Sequence, residues 1–197
     1  MNSILQEKQN STKNYLPSEL QTVFRESEAR HLTEEELQLY VKLLPESALR
    51  AEAARAAYSV ELQVVEDTID SIFEVYPYSK YHALHAEKCP RDVTNVSTYA
   101  VQAMLMDDND WFRDKLLLWL KTILQAFKFP ARSQPKETVL FGSDSETEII
   151  NSLPPGRQSL YETYLLLDRN YEQALEQAHY DLLQPHLAIT RHILGGE

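Results

Sequence analysis

The chain has 197 residues, 43% of them apolar and 25% charged, and acidic side chains outnumber basic ones for a net charge of −11. That is enough apolar material for one ordinary core, which excludes wholesale disorder, and the negative balance argues against nucleic acid or anionic lipid as a partner. A single cysteine, Cys89, excludes an internal disulfide framework and a Cys-rich zinc site, and four glycines leave no glycine-rich phosphate loop.

Residues 1–15 are polar, lack the apolar centre of a signal peptide and read as a flexible N-terminal tail. Leu16, Leu20, Val23 and Phe24 then recur on one helical face, so a helix is expected over 16–30, with Pro17 and Ser18 at its start. Thr33 followed by Glu36 is a capping box; Leu37, Tyr40, Val41 and Leu44 continue one face until Pro45 stops or kinks the helix. A long helix is expected over 47–76, striped by residues such as Leu49, Ala53, Ala57, Val64, Ile69 and Phe73, and ended at Tyr76-Pro77. Residues 77–88 read as irregular, aromatic and His-containing.

The next helix is expected to start near Pro90, with Val93, Val96, Ala100, Val101 and Met104 inward. Asp107 to Asp110 form a turn, and Asp110 is the expected cap of a helix over 111–127. That helix is the most apolar in the chain and is expected near the core centre. Residues 128–158 read as a loop with one short helix at about 144–152, and 159–183 as the final helix. The longest dense apolar run, Leu116 to Leu120, is far too short to span a membrane. Six or seven helices of these lengths make an all-α domain, globin-like or a bundle. With its one cysteine, the protein is expected in a reducing cytosolic compartment.

Chemistry concentrates at Cys89. With a helix starting at Pro90 and Lys88 and Arg91 beside it, the thiol is expected to have a lowered pKa and to add to electrophiles. The plain alternative is a lone, partly buried cysteine with no role. His82 and His85 lie nearby, but the ligand count falls short of a structural zinc site, so no metal is expected. The sequence has no GxSxG, HExxH or P-loop pattern, so no catalytic residue is assigned and no enzyme activity is expected.

Cys89-Pro90-Arg91-Asp92, followed by Tyr99 to Leu105 and the acidic turn Asp107-Asp108, resembles the phycobiliprotein family. Glu28 to Thr33, Leu116 to Phe127 with Pro130, and Pro155-Gly156 with Leu160-Tyr161-Glu162 and Leu167-Asp168-Arg169 extend the likeness over about residues 18–178. The resemblance implies a globin-like helical domain over 16–178, an N-terminal helical pair that docks on a second subunit, and a C-terminal extension over 179–197. It implies one bilin, a linear tetrapyrrole, thioether-linked to Cys89, with Asp92 accepting from its pyrrole N–H groups and Arg91 pairing with a propionate. His85, Lys88 and Tyr99 complete the candidate pigment site, with His85 or Lys88 available for propionates.

Partner contacts are expected at Leu20, Phe24, Leu37 and Val41, toward a phycobiliprotein-like subunit or a second copy. A phycobilisome linker or a photosystem subunit is a further candidate partner, and the expected location is cytoplasmic, peripheral to the thylakoid membrane. Two functions stay open: a light-harvesting subunit carrying pigment at Cys89, and a pigment-free scaffold that uses the same fold to bind phycobilisome or photosystem components.

Overall fold

The computed structural model describes residues 16–76, 83–127, 129, 131 and 144–196. Helices follow as α1 (Ser18–Glu26), α2 (Glu34–Leu43), a 3₁₀ turn (Pro45–Ser47), α3 (Ala48–Val75), α4 (Ala83–Met106) and α5 (Asn109–Phe112). A π-helical turn (Arg113–Leu117) leads into α6 (Leu118–Gln125), then α7 (Asp144–Ser152), α8 (Pro155–Ala174) and α9 (Gln177–Gly195). Among the described residues there is no strand, and the fold is the all-α, globin-like one. No described helix is long and apolar enough to cross a membrane. The tail expected over 1–15, His82 and most of the loop over 128–143 lie outside the described residues.

The capping box forms as its spacing requires: Thr33 Oγ1 accepts from the Glu36 N–H at 3.2 Å, and Glu36 accepts from the Thr33 N–H at 2.7 Å. α3, α4, α8 and α9 pack on one another around the main core. Leu49, expected on the inward stripe of α3, instead sits near its exposed start.

A buried polar cluster ties this centre together. The Glu61 carboxylate on α3 accepts from Ser97 Oγ at 2.6 Å and Thr98 Oγ1 at 3.3 Å on α4, and from His31 Nε2 at 2.6 Å. His31 stacks on Tyr58, with ring centroids 3.9 Å apart. A carboxylate removed from water is tolerable here because several donors converge on it.

Four features differ from the sequence expectation. Residues 83–88, expected to be irregular, are helical, so α4 starts a full turn and more before Pro90. The cap of α5 is Asp108, whose side chain accepts from the Trp111 N–H at 2.8 Å, and Asp110 lies inside the helix. Asp107 takes the left-handed φ of 54° that makes room for this arrangement. Of the stretch 111–127, Phe112, Leu116, Leu117 and Leu120 enter the main core as expected, but Trp119 is 60% exposed, with Leu118 and Ile123 also exposed, so α6 has one face in the core and one on the surface.

The fourth difference is the largest. The final helix breaks at Leu175-Glu176, and residues 177–195 form α9, a core helix rather than an appended extension. Its Tyr180, Leu183, Leu187 and Leu194 are buried, and it packs along α8. Gly195 permits the closest approach: a Cβ there would lie 2.8 Å from Tyr161 Cδ2 and 3.1 Å from Tyr161 Cα. Gly195→Ala is therefore expected to cost about 1–3 kcal/mol through overpacking. Thermal unfolding checks this; an unchanged midpoint would show that α8 and α9 can part at this crossing.

Candidate functional site

Cys89 lies in the second turn of α4, not at its start. Pro90 sits inside the helix and has no N–H to offer the carbonyl four residues earlier. Asp92 and Val93, three and four residues beyond Cys89, fall on the same face. Lys88, Cys89, Asp92, Phe127, Phe129 and Tyr164 are among the residues lining a cleft of about 50 Å³. The Lys88 ammonium stands 5.8 Å from the centre of the Phe127 ring. Leu124, Phe127, Phe129 and Leu160 also border a neighbouring, wider space of about 290 Å³ that Lys121 and Arg157 line.

The electrostatics at Cys89 reverse the sequence expectation. Cys89 is half-buried, and loss of solvent around the thiol, reinforced by the Asp92 carboxylate, pushes its pKa up to about 12. Starting α4 at Ala83 removes the helix N-terminus that was expected to favour a thiolate. The group is a neutral thiol at physiological pH.

The residues expected to act together separate into three places. Lys88, Cys89 and Asp92 share the cleft. Arg91 points elsewhere: its Nε and Nη2 donate to Asp92 Oδ1 at 3.0 and 2.6 Å. Arg91 and Asp92 border a second, shallow depression with Asn95 and Trp119. Tyr99 is outside the cleft lining; its hydroxyl donates to Glu28 at 3.2 Å, and its ring stacks on Trp111 with centroids 5.4 Å apart. Burial and the Glu28 carboxylate push the Tyr99 phenol up to about 12. His85 belongs to α4, but its side chain lies outside the described residues.

Leu20, Phe24 and Leu37 are buried in this chain's own core, and Val41 packs half-buried against it. Their apolar faces are satisfied within the chain. Spacing could identify an apolar face here, but not which surface covers it.

No motif in the sequence singles out Lys121 and Arg157, which border the wider space, and the chain brings them together only through α6 and the first turn of α8. The run Pro154-Pro155-Gly156-Arg157 was the one available signal, a helix start that places a cation at a fixed position.

A family model described as phycobilisome protein matches residues 24–137. The chain belongs to the phycobilisome protein family. No curated protein matches it at the same standard. Members of the phycobilisome protein family are pigment-carrying structural proteins of the light-harvesting apparatus rather than enzymes. The matched span contains α2, α3, α4, the cleft residues Lys88, Cys89 and Asp92, and Lys121 of the wider space. α8, which lines the cleft from the other side through Leu160, Thr163 and Tyr164, follows it, as does α9.

The side chains around the cleft suit the pigment typical of the phycobilisome family. A cysteine sulfur, a carboxylate one helical turn away, aromatic walls and a nearby ammonium supply a covalent anchor, an acceptor for N–H groups, flat apolar contacts and a positive charge.

Proposed function

We propose that this protein is a light-harvesting subunit that carries one bilin on Cys89 and serves in or near the phycobilisome. The observation that supports this best is that Cys89 and Asp92, one turn apart on α4, line the same aromatic-walled cleft. Cys89 is the attachment point, Asp92 the acceptor for pyrrole N–H groups, and Lys88 a counter-charge at the rim. The pigment supplies visible absorption. Phe127, Phe129 and Tyr164 exclude water and limit rotation of a flat conjugated ligand.

A neutral thiol is a poor nucleophile, so attachment calls for a lyase that activates Cys89. Function would be exercised with a phycobiliprotein-like subunit or a second copy, on the cytoplasmic side of the thylakoid membrane.

A second reading, a pigment-free scaffold for phycobilisome or photosystem components, is favoured by the narrowness of the space beside Cys89, about 50 Å³. Co-production with a bilin supply and a suitable lyase separates the two. The wild-type protein is expected to give a zinc-fluorescent band on a denaturing gel, and Cys89→Ser to give none. A colourless wild-type protein would overturn the pigment reading and leave the scaffold.

A further inference from the structure

We propose that Lys121 and Arg157 form the carboxylate-binding end of the cleft and hold the propionates of the bound tetrapyrrole in place of Arg91. This inference rests on the bilin reading and adds to it the residues that anchor the acidic side chains. Its ground is an imbalance of charge. On a chain of net charge −11, most described arginines are held by carboxylates, Arg30, Arg50, Arg55, Arg113, Arg169 and Arg191 among them. Arg91 is spent in the same way on Asp92.

Lys121 and Arg157 have no carboxylate partner among the described residues, although both border an otherwise largely apolar space of about 290 Å³. Arg157 is held at one tip of its guanidinium: Nη1 donates to the Leu194 carbonyl at 3.4 Å, a long bond that leaves the other donors of the fork uncommitted. Its Nη1 also lies against Gly196, where an added Cβ would come within 3.2 Å. The wide space adjoins the Cys89 cleft through Leu124, Phe127, Phe129 and Leu160. A ligand tethered at Cys89 by its first ring and running along those apolar walls would carry the propionates of its two central rings toward the two cations. Carboxylates are the chemistry that a guanidinium fork and an ammonium on apolar walls would recognise.

The test compares binding of biliverdin and of its dimethyl ester, which lacks both negative charges, to the full-length protein by absorbance titration. Wild-type protein is expected to bind the free acid on the order of ten-fold more tightly, as one charge-assisted contact supplies, and the gap is expected to narrow as salt is raised. The double variant Lys121→Gln, Arg157→Gln is expected to lose that preference while binding the ester as wild type does. Thermal unfolding of the variant separates lost binding from lost fold, and the acid–ester comparison on wild-type protein needs no variant. Equal affinity of wild-type protein for acid and ester, or a preference that survives in the variant, would overturn this assignment and leave the bilin reading standing. No binding of either pigment, together with a colourless wild-type protein, would overturn both.

Discussion

A chain ended after Glu176 should fail to fold. Such a truncation removes α9, which a tail with no structural duty would survive and a core helix does not. Leu183, Leu187 and Leu194 are each only 1% exposed, and Tyr180 is buried beside them. At about 1.5–3 kcal/mol for each fully buried large side chain, these four contribute roughly 6–12 kcal/mol of transfer free energy. That rivals the roughly 5–15 kcal/mol by which a whole domain is stable.

The loss is not confined to apolar contact. Asp168 on α8 is 3% exposed and accepts from Tyr180 Oη at 2.8 Å and from Arg191 Nη1 at 3.2 Å, both on α9. Burial pushes the Asp168 carboxyl upward against the pull of these partners. Without α9, the inner faces of α8 and α3 would be left open to water. The truncated protein is expected to be recovered insoluble or to show no cooperative loss of the 222 nm signal on heating. A cooperative transition close to that of the full chain would show that the domain closes without α9.

Why the sequence showed some of this and not the rest follows from what periodicity measures. Helical spacing reports that one face is apolar. It located α2, α3 and α7 to within a residue or two and α1 to within four, and the Thr33–Glu36 capping box marked a true helix start. It does not report what lies opposite the face. The stretch after residue 178 shows apolar residues at helical spacing, Leu183, Leu187 and Leu194, yet nothing local distinguishes a core helix from a sticky tail.

Pro90 misled for a related reason. A proline commonly opens a helix, but here the helix around it continues from Ala83 without its N–H. That displacement carried Cys89 from an expected helix end, where a thiolate is favoured, into a second turn where burial keeps the thiol protonated. The pairing of Cys89 with Asp92 was legible, because three residues along a helix is a local fact. The separation of Arg91 was not, because its guanidinium turns onto Asp92 and borders the shallow depression beside Trp119 instead of the cleft. The Glu61 cluster draws on residues 31, 61, 97 and 98, and no spacing rule joins them.

Phe24→Glu is expected to strike stability before it strikes association. Phe24 is 5% exposed and meets the Tyr40 ring edge-on, with centroids 6.4 Å apart at 89°. Tyr40 in turn donates to the Leu105 carbonyl at 2.7 Å, so the aromatic pair links α1 and α2 to the end of α4. The chain just after α1 is pinned as well, since Gln102 Nε2 donates to the Ser27 and Arg30 carbonyls at 2.7 and 2.8 Å. Truncating a buried phenylalanine alone costs about 3–5 kcal/mol. A carboxylate in its place must also give up water without a partner, or force α1 to unpack.

The expected cost is therefore at least about 4 kcal/mol, which for a chain of this length lowers the midpoint by roughly 8–16 °C. If α1 opens locally, amide exchange over residues 18–26 should rise first while the α3–α4–α8 core stays protected. A variant that keeps the wild-type midpoint and changes only its sedimentation would place Phe24 at a subunit contact instead. In the geometry seen here, the N-terminal helices spend Leu20, Phe24 and Leu37 on their own domain, so any subunit that docks on this region must meet the outward side of α1 and α2.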